Sequence, residues 1–102
     1  MKEYDLFVPL YYNDGSPVEA ETLLALKRRL LDQFDGLTFF PQANEGLWRT
    51  GGVTYRDEIV VFRILTADAP EARRFLAQLK EDLKREFRQE EILIVARDVE
   101  TL

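Results

Sequence analysis

The densest run of chemically capable side chains lies between Phe39 and Glu58, in the stretch FFPQANEGLWRTGGVTYRDE of a 102-residue chain. Asp57 and Glu58 are carboxylates able to act as general acid or base, Tyr55 can donate a proton, and Arg49 can clamp an anion or an anionic transition state. Trp48 and Tyr55 offer aromatic faces, and Gln42 and Asn44 add amide groups. Together they suit a pocket for a planar or cationic ligand. The same residues also read as structure, because a Trp48–Tyr55 pair across a hairpin is worth about 0.5–1.5 kcal/mol without any ligand.

Composition narrows the chemistry. The chain contains neither cysteine nor histidine. Thiolate nucleophiles, the usual Cys/His zinc sites and the side chain that most often moves protons near neutral pH are therefore excluded. Carboxylates can hold hard cations, but no spacing here demands one, so neither a metal nor a cofactor is expected. The Thr50-Gly51-Gly52 step precedes a strand rather than a helix and is turn chemistry, not a phosphate cradle.

The pattern of apolar residues shows what positions these groups. Tyr4 to Tyr12 is rich in β-formers and apolar at nearly every position, as a central strand is, with a bulge or an unpartnered amide expected at Pro9. Ser16-Pro17-Val18-Glu19 predicts a helix start, with Ser16 as N-cap and Glu19 closing a capping box. Leu23, Leu26, Leu30 and Phe34, supported by Leu24 and Leu31, give this helix its apolar stripe, and Gly36 is expected as its left-handed cap. Leu37 to Phe40 and Leu47 to Thr50 read as strand segments interrupted by PQANEG. Gly51-Gly52 turns the chain into a long strand from Val53 to Thr66, so the whole is a hairpin with a bulged first arm. Asp68, Pro70 and Glu71 open a second helix with a stripe of Ala72, Phe75, Leu76, Leu79, Leu83 and Phe87. Ile92 to Ala96 is a short strand, and residues 97 to 102 are expected to form a polar tail.

The order β-α-β-β-α-β predicts a single α+β domain over residues 1–102, a ferredoxin-like four-stranded antiparallel sheet with both helices on one face. Alternation along the long strand places Val60, Phe62 and Ile64 under the helices. Tyr55, Asp57, Ile59, Val61 and Arg63, with Phe7 and Tyr11 from the first strand, then face the other way. Asp57 and Glu58 therefore point to opposite faces and cannot share a proton. An apolar helix-free face of this kind predicts an interface, and a symmetric homodimer is the simplest form of one.

The formal charge of −5 disfavours nucleic acid and anionic membranes as partners. The basic residues of the second helix alternate with acidic ones on a solvated face. Neither a leader nor a membrane span is recognisable, which predicts a cytoplasmic protein.

The stretch FDGLTFFPQANEGLWRTGGVTYRDE, preceded by YYNDGSPV, resembles small uncharacterised bacterial domains that carry Gly-Leu-Thr, then Gly-x-Trp, then an acidic residue on a ferredoxin-like scaffold. The matching positions are Gly36, Leu37, Thr38, Gly46, Trp48, Arg49 and Glu58, while Leu47 stands where a polar residue is common. The resemblance implies the fold and the importance of the hairpin, and it brings no activity. The leading expectation is a non-catalytic homodimer that binds a small molecule or protein partner through the helix-free face and the 39–58 hairpin. The alternative is a small cofactor-independent enzyme using Asp57 or Glu58 with Tyr55 and Arg49.

Overall fold

A computed structural model describes residues 1 to 102. The elements are β1 (Lys2–Pro9), α1 (Ala20–Phe34), β2 (Thr38–Thr50), β3 (Val53–Thr66), α2 (Pro70–Glu86) and β4 (Leu93–Asp98). The strands form one antiparallel sheet in the order β2-β3-β1-β4, the ferredoxin-like α+β arrangement, with β1 and β3 at its centre.

Alternation selects the core. Tyr4, Leu6 and Val8 of β1 lie opposite Ile64, Phe62 and Val60 of β3, and all six are buried. They pack in a single cluster with Leu26 and Leu30 of α1 and with Ala72, Leu76, Leu79 and Leu83 of α2. Burying a large apolar side chain gains about 1.5–3 kcal/mol, which fixes the helices to this face. Leu24 and Leu31 lie outside the α1 stripe, 44% and 50% exposed.

Several boundaries differ from expectation, each for a local reason. The first helix begins at Ala20, not Pro17, because the Asp14 carboxylate accepts hydrogen bonds from the Ser16 backbone N–H and hydroxyl and holds Ser16 in an Asx turn. Glu19 takes the N-cap position, and its carboxylate accepts from Tyr12 and Thr22 side chains rather than completing a capping box. At the other end Asp35, with φ of 58°, adopts the left-handed conformation expected of Gly36. Pro9 is the last residue of β1 and marks its end, not a bulge; Tyr11 has left the sheet and bridges Pro17. Ala69, not Asp68, caps α2. The expected polar tail starts too early, since Arg97 and Asp98 are the end of β4, opposite Glu3 and Lys2.

Asp35 carries a Cβ where the left-handed region penalises one, and no side-chain hydrogen bond caps the turn in return. Asp35→Gly is expected to raise stability by about 0.5–1 kcal/mol in urea denaturation.

Candidate functional site

Pairing between β1 and β3 ends at Pro9 opposite Ile59. The first six residues of β3, Val53 to Glu58, therefore run on with β2 as their only strand partner, a ribbon about 20 Å long. Gly51 and Gly52 close it with φ of +56° and +78°, the signs a two-residue type I′ turn needs. Thr50 faces Val53, Arg49 faces Thr54 and Trp48 faces Tyr55. The Trp48 and Tyr55 rings stack, with centroids 5.7 Å apart and planes 15° from parallel.

The bulge sets which residues share that face. Pro41, Gln42 and Ala43 lie between Phe40, opposite Val61, and Asn44, opposite Ile59, so three residues stand against Val60 alone. Past the bulge, Asn44, Gly46 and Trp48 of β2 lie opposite Ile59, Asp57 and Tyr55, on the helix-free side. Gly46 therefore leaves a notch, flanked along its strand by Trp48 and Asn44 and across it by Asp57. Its backbone does not require glycine. Its φ is not positive, and an added Cβ would meet nothing closer than the Asp57 carbonyl oxygen at 3.9 Å. Partial burial pushes the Asp57 carboxyl above the ordinary aspartate range.

The notch thus gathers Trp48, Tyr55, Asp57 and Asn44, but not every residue expected there. Arg49 lies on the opposite face, where its Nε donates to the Thr54 hydroxyl at 3.2 Å. Gln42 belongs to the bulge, and its carbonyl accepts from the Asn44 side-chain amide at 2.9 Å. Glu58 also lies across the sheet from Asp57, opposite Glu45, which in turn pairs with Arg56 at 3.4 Å.

The sequence reading missed a second feature of the helix-free face. Asp5 is only 2% exposed. Arg63 grips its carboxylate with two hydrogen bonds, of 2.9 and 3.1 Å, and Arg97 adds one of 2.7 Å. Glu3 completes the set, 2.8 Å from Arg97 and 3.3 Å from Arg63, and Arg63 also lies over the Phe40 ring. Burial pushes the Asp5 carboxyl up, but the hydrogen bonds and positive charges of the two arginines outweigh it, so the group titrates below the usual aspartate range. The available signal was parity: Asp5 faces Arg63 across the central strand pair.

Around this charged centre the face is apolar. Phe40, Trp48, Val53, Tyr55, Leu65 and Leu93 all lie on it, and they are half of the twelve large hydrophobic residues that are exposed. No group of three or more acidic, histidine or cysteine side chains is placed to hold a metal ion, and no helix is long and apolar enough to cross a membrane.

The chain matches no protein-family model and no curated protein sequence. Among solved structures, a phage SAM lyase in complex with S-methyl-5′-thioadenosine is similar with a TM-score of 0.69 at 16% identity, over 95% of this chain and 80% of that one. The apo phage SAM lyase gives 0.65 at 17%, over 94% and 78%. The divalent cation tolerance protein Cut A1 from Thermus thermophilus gives 0.64 at 18%, over 97% and 84%. What these similarities share with the chain is the ferredoxin-like fold.

Removing the buried carboxylate breaks three charge-assisted hydrogen bonds and leaves Arg63 and Arg97 with Glu3 as their shared acid partner. Asp5→Ala is expected to lower stability by about 3 kcal/mol at pH 7. Because the folded state depresses this carboxyl's pKa, its contribution is complete above the unfolded value of about 3.9 and is lost as pH falls through the folded one. Urea denaturation of both proteins at pH 7 and in strong acid should show the difference shrinking at the lower pH.

Proposed function

We propose that the protein is a non-catalytic, homodimeric binding protein whose working surfaces are the helix-free sheet face and the 39–58 hairpin. The observation that carries this reading is the exposed apolar side chains on one side of the sheet, Phe40, Leu65 and Leu93 around the Asp5 cluster and Trp48, Val53 and Tyr55 on the projecting arm. Apolar side chains concentrated on one exposed face mark contact with another molecule. A two-stranded ribbon is also marginal in water on its own, and a second copy of the chain supplies the contact that stabilises it.

The ligand site is the notch at Gly46. A glycine inside a strand weakens it, and here neither backbone conformation nor crowding demands one, so its value lies in the space beside Trp48 and Asp57. An aromatic wall with one carboxylate suits a planar ligand bearing a donor group. S-methyl-5′-thioadenosine, held by a phage SAM lyase of the same fold, is a rational first probe of that chemistry. Light scattering is expected to give twice the 12.0 kDa chain mass. Fluorescence of Trp48, the chain's single tryptophan, should change saturably with the probe in the wild type and not in Gly46→Val, whose side chain fills the notch while favouring the strand. A monomeric mass at micromolar concentration sinks the dimer; an unchanged titration in Gly46→Val sinks the notch.

The elevated Asp57 carboxyl supports a second reading, a small enzyme in which Asp57 transfers a proton with Tyr55 beside it. The two readings separate on the fate of the probe: under the second the wild type converts it and Asp57→Asn does not, whereas under the first the wild type returns it unchanged. The sign of the shift gives a further expectation. Folding raises this pKa, so the ionised carboxylate costs stability above the folded pKa and nothing below the unfolded one. Asp57→Asn should therefore be more stable than the wild type at pH 7, with the gain vanishing in acid, as read by thermal melting.

A further inference from the structure

We infer that the open edge of β3, Val53 to Asp57, docks a second copy of this chain by antiparallel pairing with the same five residues of the partner. This rests on the homodimer reading above and specifies how the two copies meet.

Free backbone groups line one side of the ribbon. In a two-residue hairpin closed between Thr50 and Val53, the N–H and C=O of Val53, Tyr55 and Asp57 turn toward β2, and those of Thr54 and Arg56 turn away from it. Glu58 follows the same alternation, because its carbonyl faces the β1 side and accepts from the Leu10 N–H at 3.0 Å. Beyond that bond no strand occupies the β1 side of the ribbon. Thr54 and Arg56 thus present a short ladder of donors and acceptors on the inner side of what is, deeper in the sheet, a central strand.

Symmetry and parity then select the register. When two copies share a sheet about a two-fold axis normal to it, opposite residues must point to the same face, so their numbers sum to an even value. Centring the axis on Tyr55 places it opposite the partner's Tyr55, Val53 opposite the partner's Asp57, and Thr54 opposite the partner's Arg56. Thr54 and Arg56 are then the hydrogen-bonded positions on both copies, so all their outward groups are satisfied in four bonds. The segment fits in length as well. It ends where the free edge ends, since the next outward carbonyl, that of Glu58, is already taken by the Leu10 N–H. The Trp48–Tyr55 stack joins its counterpart in a four-ring row on the helix-free side.

The outer edge of β2 is regular only from Asn44 to Thr50, past Pro41 and the three-residue bulge, and pairing along it would hold the two Tyr55 residues apart. The inner edge of β3 has neither a proline nor a bulge between Val53 and Asp57.

The test uses the absence of native cysteine, which makes every disulfide unambiguous. Tyr55 opposite itself is a non-hydrogen-bonded pair, with Cα atoms about 4.5 Å apart, within disulfide reach. Tyr55→Cys is therefore expected to form a covalent dimer in dilute, mildly oxidised protein, while Leu93→Cys on the sheet face and Ala96→Cys on the β4 strand stay monomeric on non-reducing gels. Thr54→Pro removes one outward N–H per subunit without touching the ladder to β2. It should weaken the dimer by about thirtyfold in sedimentation equilibrium with an unchanged circular dichroism spectrum. A native dimer in which Tyr55→Cys fails to link overturns this pairing and leaves the homodimer standing, and a link through Ala96→Cys or Leu93→Cys would show which surface replaces it. A three-subunit mass overturns the pairing and the homodimer but leaves self-association. A wild-type chain that is monomeric at every concentration overturns both the pairing and the reading it rests on.

Discussion

β3 is fourteen residues long, and the strand beside it on the β1 side supplies eight. Pro9 ends β1, and the chain turns away at once, held by the Val18 N–H on the Leu10 carbonyl and the Tyr12 N–H on the Ser16 carbonyl. That mismatch divides one strand between two environments. From Ile59 to Arg63 β3 is flanked on both edges, and Val60, Phe62 and Ile64 are buried under the helices. From Val53 to Glu58 it has a single strand partner and the side chains are exposed or half-exposed on both faces. The core and the arm are therefore not separate designs but consequences of where β1 stops.

Within the core, register is fixed from both sides of the sheet. On the helix side it is fixed by packing, since a one-residue slip of β1 would expose Tyr4, Leu6 and Val8 together. On the other side it is fixed by charge: Asp5 binds Arg63 directly opposite on β3 and, diagonally, Arg97 of β4, so one carboxylate ties three strands. Such a cluster contributes little net stability compared with apolar residues of the same volume, because desolvation offsets much of the attraction. Its effect is in penalising displacement, since any shift strands a buried carboxylate or an arginine without its partner.

The sheet and its faces were legible in the sequence because β3 holds no proline or glycine to break its period of two, Arg63 marks one parity as the less buried, and Gly-Gly admits few turns. The Trp48–Tyr55 pairing followed from counting outward from Gly51-Gly52, and the structure has that register. What was not legible depended on competition between groups distant in sequence or nearly equal locally. Ser16 was a sound N-cap by type, but Asp14 two residues earlier claimed it. Asp5 was hidden in a strand that reads as apolar, because its significance comes from Arg97, ninety-two residues away. Arg49 and Gln42 were grouped with Trp48 by nearness along the chain, whereas strand alternation and the bulge send them elsewhere.

The bulge decides how the arm's faces continue into the core part of β2. Pro41 cannot donate to the ladder, so irregularity at this point is expected, but its size is not arbitrary. Three residues against one adds two to the strand, and an even addition preserves parity, so Phe40, Asn44, Gly46 and Trp48 all stay on the helix-free side. The turn holds Trp48 opposite Tyr55 whatever the bulge, so a bulge with one extra residue, the commoner kind, would leave the arm as it is and exchange the faces of Phe39 and Phe40. Phe39 would then leave its contact with the buried Phe62, and Phe40 its place under the Arg63 guanidinium. The turn thus places the tryptophan, and the bulge length decides which phenylalanine joins the core.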